Sequence, residues 1–426
     1  TAQTKYESPI NWKQSGVLPV QPNGLHHMGL SGVVSGVVDN QIIIAGGNNF
    51  PEGYPWEGGV KKYYDQVFVY DVKGDTLIMA DSSVRLPSKV AYPAIAQLND
   101  GIFYAGGENE KGPLPNVYLI QKNNKNGVVI ISWPDLPEAL TNAVAVATSN
   151  AVYVLGGATK NGVSDKVWAI YLNDINAGWK YVSTMPQPTA FAAAVFAQGQ
   201  VYIMGGRKKG TDGISEIYNQ VFAWNIVNNS WSKKAPLPYV VSAATAVALP
   251  DKILFIGGDK GVVFHEVEML AAKIAATTDP ETKNNLTEIK NNLQKTHPGF
   301  SKDVLAYDPT LNKWSPYAQL GFTAPVTTNA FLLNHKIILP VGEVKPVKAF
   351  DRELVLYRTR SGKVALQDAY CPHLGAHLGH EGRVVGETVR CPFHGWQFNA
   401  DDGKCSNIPY CDEIPERARV RTWHTE

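Results

Sequence analysis

The chain is poor in charge, in cysteine and in long apolar runs. Charged residues make up 18% of its 426 positions, and 39 Lys and Arg against 38 Asp and Glu leave a net charge of +1. Such a balance provides no electrostatic footprint for nucleic acid or for an anionic membrane surface. No apolar run approaches the ~18 residues of a membrane-spanning helix. We therefore expect neither a nucleic-acid partner nor a membrane span.

The four cysteines are confined to one end of the chain. Cys371, Cys391, Cys405 and Cys411 all lie within the last 56 residues, and this clustering predicts a local site rather than a disulfide framework. The N-terminal segment TAQTKYESPINWKQ has no hydrophobic signal core. The compartment therefore stays open, and a periplasmic or secreted location is one alternative if a leader was removed before Thr1.

Glycine and aromatic residues are abundant, with 38 Gly, 19 Tyr and 10 Trp, which favours an all-β architecture. An apolar stretch that ends in a glycine doublet recurs five times, and a degenerate sixth copy, IILPVG, ends at Gly342. The spacings of 60, 50, 49, 52 and 84 residues indicate a regular repeat with one insertion. The five doublets end at Gly47, Gly107, Gly157, Gly206 and Gly258.

Each repeat contains further matching segments. An aromatic strand such as VFVYD at 67–71 follows the doublet, and a Trp strand that ends at Pro, such as WSKKAPLP from Trp231, comes next. Four short strands per repeat with Gly and Trp marks are typical of a kelch-type β-propeller, here with six blades. The sixth copy lacks a Trp strand, whereas WKQSGVLP at Trp12–Pro19 has no blade of its own. We expect this N-terminal strand to complete the sixth blade and close the ring.

The long spacing before the sixth copy contains a predicted helical insertion at 265–297. Asp279 and Pro280 form a typical helix start, and Leu286, Ile289 and Leu293 follow at helical spacing. We expect the insertion to cover one rim of the propeller, and a lid that moves with substrate is the alternative.

Two Cys/His pairs follow the last repeat. CPHLG begins at Cys371, and CPFHGW begins at Cys391. Cys371 and Cys391 can donate thiolates to a metal centre, and His373 and His394 can donate neutral imidazoles. Two Cys on one iron and two His on the other is the donor set of a Rieske [2Fe–2S] centre. A Cys₂His₂ zinc site is the alternative.

These motifs closely resemble the Rieske domain family. The stretch at 342–386 is similar in particular to Rieske oxygenases that act on sterols, of the cholesterol desaturase and ketosteroid hydroxylase kind. The resemblance implies a [2Fe–2S] cofactor and a redox partner such as a reductase. Those oxygenases carry a further domain with a mononuclear iron, for which no room remains before Glu426. We therefore do not expect oxygen activation, and we expect Cys405 and Cys411 to be inert thiols.

The propeller resembles a second family. The Gly- and aromatic-rich loop at 46–65, the segment VGEVKP at 341–346 and the helical insertion are similar to the cyclically permuted N-acetylneuraminate mutarotase (epimerase) family. The resemblance implies a sialic acid as substrate and an acid/base role for Glu343. The family's pattern Gly-Glu-x-Lys-Pro-Gly-x-Arg ends in an arginine, in whose place Ala349 stands. Arg207, after the fourth doublet, is the candidate that would bind the sugar carboxylate instead.

We therefore expect two domains, a propeller at 1–342 with the insertion at 265–297, and a small β Rieske domain at 343–426. The expected function is a mutarotase-like propeller joined to an electron-transfer module. In one alternative, the chain is an electron carrier or a truncated sterol oxygenase component whose propeller only binds partners. In the other, because the chain follows one family up to GEVKP and the other after it, it is a recombined or artificial chimera with neither activity intact.

Overall fold

The structure is a computed structural model that divides into two compact units. Unit 1 comprises Thr1–Val17 and Leu30–Val341, and unit 2 comprises Leu18–Gly29 and Gly342–Glu426. The structure describes residues 10–19, 29–52, 54–123, 127–322, 326–340, 346–349, 352–361, 363–379, 382–411 and 413–423. The predicted domain boundary between 342 and 343 lies outside these residues.

Strands dominate the described residues, which confirms the predicted all-β class. Helix α1 spans Val262–Ala276 and helix α2 spans Pro280–Lys295, so the helical insertion begins three residues earlier than predicted. Short 3₁₀ turns lie at Pro55–Glu57 and Ile175–Ala177. In the part of the chain that the structure describes, no helix is long and apolar enough to cross a membrane.

Unit 1 is a six-bladed kelch-type propeller. Blades 1 to 5 are four-stranded antiparallel sheets, each built from consecutive strands of one sequence repeat. Their strands are, in chain order, Val34–Val38, Gln41–Ala45, Val67–Lys73 and Thr76–Asp81; Ala94–Leu98, Gly101–Ala105, Val117–Lys122 and Val128–Trp133; Val144–Ala147, Ala151–Leu155, Lys166–Tyr171 and Lys180–Thr184; Ala193–Ala197, Gln200–Met204, Val221–Asn225 and Ser230–Lys233; and Thr245–Ala248, Ile253–Ile256, Asp303–Asp308 and Lys313–Gln319.

Smaller ribbons complete the propeller. Blade 6 is described as the antiparallel pair Phe331–Leu333 and Lys336–Ile338. A two-stranded ribbon also follows each of the first four doublets. These ribbons pair Asn48–Asn49 with Lys62–Tyr63, Glu108–Asn109 with Gly112–Pro113, Ala158–Thr159 with Gly162–Val163, and Arg207–Lys209 with Ser215–Ile217.

A closed ring of backbone hydrogen bonds joins all six blades. Shortly before the first strand of each blade, one residue in the left-handed region donates its N–H to the carbonyl of its counterpart in the preceding blade. The bond from Gly32 to Thr327, at 3.2 Å, joins blade 1 to blade 6 and closes the ring. The six ring residues are Gly32, Tyr92, Asn142, Phe191, Ala243 and Thr327.

The first four glycine doublets bind their blades to the next. The second glycine donates its N–H to a carbonyl of the chain that enters the following blade, as from Gly107 to Leu140 at 2.8 Å. The same carbonyl crowds the first glycine, because a Cβ on Gly106 would lie 2.4 Å from the Leu140 oxygen, and Gly106 has a φ of +67°. A side chain at this position would break the contact between blades.

The N-terminal segment packs at the seam of the ring but forms no strand among its described residues 10–19. Trp12 contacts Phe322 edge to face at 5.7 Å and belongs to the apolar cluster of blades 5 and 6. The carbonyl of Ser15 accepts a hydrogen bond from the N–H of Leu77, in the outer strand of blade 1. The expected closing strand of blade 6 is thus not seen, because this backbone bonds to blade 1 instead.

Unit 2 contains two four-stranded antiparallel sheets around one core, in which Phe398 is fully buried. Ala349, which stands where the epimerase family's motif has an arginine, lies in the first sheet, where its backbone pairs with that of Arg352. The first sheet contains Pro346–Ala349, Arg352–Arg358, Val364–Asp368 and Thr422–Trp423, and the second contains Arg383–Val385, Thr388–Arg390, Gln397–Asn399 and Cys405–Asn407.

Candidate functional site

The two Cys/His loops of unit 2 adopt the same backbone turn. In the first loop, the N–H of Cys371 donates to the carbonyl of Ala376 at 2.8 Å, and the N–H of Gly375 donates back to Cys371 at 2.9 Å. In the second loop, Cys391 pairs in the same way with Trp396 and Gly395, at 2.7 and 3.2 Å. Both glycines have a φ of +73°, which only glycine adopts without cost.

The turns bring the two predicted histidine ligands together. The ring centroids of His373 and His394 lie 4.8 Å apart. The ring of His373 stacks on Trp396 at 4.6 Å, and the indole N–H of Trp396 donates to the hydroxyl of Tyr410 at 2.8 Å. Nδ1 of His373 is buried and has no hydrogen-bond partner. A buried, unpaired ring nitrogen beside a second imidazole fits a metal ligand.

The two cysteines of these loops are buried free thiols. Burial, together with the neighbouring Cys391, raises the pKa of Cys371 to about 12. A bound metal would reverse this shift, since a coordinating thiol is deprotonated outright. No three His, Cys, Asp or Glu side chains among the described residues converge on a single metal position. A Rieske cluster requires no such group, because each of its two irons takes two protein donors.

The other polar groups near the loops have their own partners. The thiol of Cys405 is buried and donates to the carbonyl of Asn407, and the exposed thiol of Cys411 donates to Glu413. Nδ1 of His377 accepts a hydrogen bond from the N–H of Gly379 at 3.0 Å.

In unit 1, the residue after each of the first five glycine doublets stands at one mouth of the central channel. Its backbone bonds reciprocally with the residue that precedes a ring residue, as between Arg207 and Ala190, the neighbour of Phe191. A cavity of about 120 Å³, lined in part by Tyr92, Asn142 and Phe191, occupies the channel. The residues after the first five doublets are Asn48, Glu108, Ala158, Arg207 and Asp259.

Arg207 is held between two phenyl rings at this mouth. Its guanidinium carbon lies 3.9 Å from the ring centroid of Phe191 and 4.1 Å from that of Phe264, in helix α1. Burial lowers the pKa of Arg207, and the carboxylates of Glu268 and Asp259 oppose this shift. The N–H groups of a guanidinium point outward in its plane, so an arginine between two rings can still bind a planar anion with these groups.

The helical insertion bridges two opposite blades. Glu268 of α1 accepts hydrogen bonds from the N–H and the hydroxyl of Ser215 in blade 4, at 2.8 and 2.9 Å. Asn291 of α2 donates to the carbonyl of Trp56, in the long loop of blade 1, at 3.5 Å. Both contacts are made on segments that follow a glycine doublet, so the insertion covers one rim of the propeller, as the sequence predicts.

Of the two catalytic candidates for the isomerase reaction, the structure places Arg207 at the mouth of the propeller channel. Glu343 lies outside the described residues, so its acid/base role stays a prediction. The sequence analysis missed Glu108, which forms a cluster with Tyr63 and Lys61 at the same mouth. Its position directly after the second doublet was the available signal, since Arg207 and Glu343 follow the fourth and sixth copies.

Fold and sites together define a kelch-type propeller joined to an iron–sulfur module. A family model described as N-acetylneuraminate epimerase matches residues 133–358, more than half of the chain, and the chain belongs to that family. A model of the Rieske [2Fe-2S] domain matches residues 330–422. Unit 2 is thus a Rieske domain with a [2Fe–2S] cofactor.

Curated relatives share a short stretch with this chain. Cholesterol 7-desaturase of Xenopus laevis is 51% identical over 85 residues, which are 20% of this chain and 19% of that protein. The probable 3-ketosteroid-9-alpha-monooxygenase, oxygenase component, of Rhodococcus rhodochrous is 45% identical over 82 residues, 19% of this chain and 20% of that protein. The chain therefore spans about a fifth of the length of these relatives.

Proposed function

We propose that unit 2 transfers single electrons, with Cys371 and Cys391 binding one iron of its cluster and His373 and His394 binding the other. The observation that carries this proposal is the pair of matching turns, which place two imidazoles side by side and leave Nδ1 of His373 buried and unpaired. When bound, the cluster supplies one-electron redox chemistry. The chain's own residues orient the donors, and Trp396 holds the ring of His373 by stacking.

Electron paramagnetic resonance of the dithionite-reduced, anaerobically purified protein tests this assignment. We expect a reduced Rieske signal in the wild type, its loss in His373→Ala, and its retention in His377→Asn. His377 is the matched control because it lies in the same loop region and its Nδ1 is already hydrogen-bonded to Gly379. Zinc as the only bound metal, or an unchanged signal in His373→Ala, would contradict the assignment.

We further propose that the propeller interconverts the anomers of a sialic-acid-type sugar, with Arg207 binding the substrate carboxylate. The clamp of Phe191 and Phe264 around the guanidinium supports this role, because it fixes the plane in which two parallel N–H groups can meet a carboxylate. Membership of the N-acetylneuraminate epimerase family supports the class of sugar. Glu343 remains the predicted acid/base residue of the family motif.

Proton NMR of the equilibration of freshly released N-acetylneuraminate tests the propeller's activity. We expect acceleration by the wild type and a roughly 30- to 1000-fold lower kcat/KM in Arg207→Met, the effect of losing a charge-assisted hydrogen-bond pair worth ~2–4 kcal/mol. Lys208→Met is the control, because Lys208 is an exposed cation on the same ribbon. No acceleration by the wild type would favour a propeller that only binds partners.

A further inference from the structure

Glu108, a carboxylate of blade 2 at the channel mouth, is contacted by side chains from blades 1 and 3. The hydroxyl of Tyr63, in the ribbon of blade 1, donates to Oε1 of Glu108 at 2.7 Å. The hydroxyl of Thr141, which precedes the ring residue of blade 3, donates to Oε2 at 3.3 Å. The ammonium of Lys61 lies 3.5 Å from Oε1. Glu108 is therefore held in one orientation beside a cation.

The pair of Lys61 and Glu108 is reachable from the channel. The Lys61 ammonium lies 5.4 Å from the ring centroid of Tyr92, which lines the central cavity, and 5.6 Å from that of Tyr63. The side chains of Lys61 and Glu108 are 35% and 21% exposed. Burial and the Glu108 carboxylate raise the pKa of Tyr63, so its phenol keeps its proton and remains a donor.

The sequence repeat relates this cluster to the proposed carboxylate site. Glu108 follows the doublet of blade 2, and Arg207 follows the doublet of blade 4, so the two residues occupy equivalent positions two blades apart. Both positions face the same mouth. A sugar acid bound there through its carboxylate has an acid/base pair on the neighbouring part of the rim.

We propose that Glu108 is a second acid/base residue of the propeller, with Lys61 as its proton-donating partner and Tyr63 and Thr141 as positioning residues. The inference rests on the proposed isomerisation of a sialic-acid-type sugar. Glu108 accepts the proton of the anomeric hydroxyl while the bond between the anomeric carbon and the ring oxygen breaks, and Lys61 gives a proton to that oxygen. The open-chain keto acid turns its other carbonyl face, and both transfers run in reverse. Protons and electrons balance without a co-reactant.

The test compares Glu108→Gln with Glu138→Gln in the anomer-equilibration assay on the full chain. Glu138 is a matched carboxylate, 25% exposed, with Lys166 at 3.3 Å and a hydrogen bond from Trp168, but it does not follow a doublet. We expect Glu108→Gln to lower kcat by about 100-fold or more, the usual contribution of general acid–base catalysis. KM should change less than about threefold, and Glu138→Gln should stay within about twofold of the wild type.

Two further variants protect the test from a folding defect. Lys61→Met alters a partly exposed side chain and should lose kcat as Glu108→Gln does. Tyr63→Phe should lower kcat less, about tenfold, because it removes one hydrogen bond that orients the carboxylate. Unchanged kcat in Glu108→Gln and Lys61→Met, or an effect on KM alone, overturns the inference and leaves the proposed isomerase standing. An inactive wild type overturns both.

Discussion

Asp303, on the third strand of blade 5, is held by donors from three directions. Oδ2 accepts hydrogen bonds from the Lys260 ammonium at 2.8 Å and the Tyr239 hydroxyl at 2.7 Å, and Oδ1 accepts one from the Gln319 amide at 2.6 Å. Burial alone would raise the pKa of Asp303, but the three donors lower it from 3.8 to about 2. The ionised carboxylate therefore stabilises the folded propeller.

We predict that Asp303→Asn lowers the free energy of unfolding by about 1 kcal/mol at pH 7. Because the folded pKa lies below the unfolded one, this difference is fully present above the unfolded value of 3.8 and is lost as pH falls through about 2. Urea denaturation of both proteins across this pH range measures it. Asp251→Asn, which removes an exposed carboxylate next to Lys252, is the control. A pH-independent difference would contradict the assignment.

At the scale of the single element, the glycine doublet after the second strand of a blade contacts the backbone of the next blade. A Cβ on Gly205 would lie 2.5 Å from the carbonyl oxygen of Val241, to which the next residue, Gly206, donates its N–H at 2.9 Å. Gly199, in the turn before the same strand, has a similarly positive φ of +77° but open space around it. Substitutions at these two glycines therefore distinguish the cost of backbone strain from the cost of disturbing the contact between blades.

We predict that Gly205→Ala destabilises the propeller by about 2 kcal/mol more than Gly199→Ala. Both substitutions force alanine into the left-handed region, which costs about 1 kcal/mol, but only the first pushes against a backbone carbonyl that cannot move alone. Urea unfolding followed by tryptophan fluorescence measures the difference. Equal losses in the two variants would show that the doublet serves turn geometry only.

At the scale of the whole molecule, the closure of the ring and the cluster site belong to different units. Trp12 packs against Phe322 at the seam of unit 1, and the cluster ligands lie in unit 2. The two family models overlap at residues 330–358, and Ala349, within that overlap, pairs in the first sheet of unit 2. The last residues that the epimerase family model matches therefore belong to unit 2, the Rieske domain.

We predict that Trp12→Ala lowers the unfolding free energy of the propeller by about 2 kcal/mol, since it removes a large partly buried ring from the seam. The reduced Rieske signal should be unchanged, because no cluster ligand lies in unit 1. Calorimetry and paramagnetic resonance on the same preparation measure the two effects. Val17→Ala, at an exposed position of the same segment, is the control. Loss of the Rieske signal in Trp12→Ala would show that the two units fold as one.

The sequence by itself determined the features that repeat or stand close together along the chain. Glycine doublets at regular spacing predicted six blades because each copy belongs to one blade, and the first four form contacts between blades. The motifs beginning at Cys371 and Cys391 predicted the two metal-binding loops because each turn is completed within six residues. Local patterns of this kind depend only on residues that are close together in the chain, so the sequence alone predicts them.

Only the tertiary structure decided what depends on closure of the ring. The bond from Gly32 to Thr327 joins residues at opposite ends of the propeller, and it closes the ring where the sequence predicted an N-terminal strand. The cluster likewise joins Glu108 to Lys61 and Tyr63 of the preceding repeat and to Thr141 of the following one. The residues next to Glu108 in the sequence do not predict these partners, because the packing of neighbouring blades brings them together.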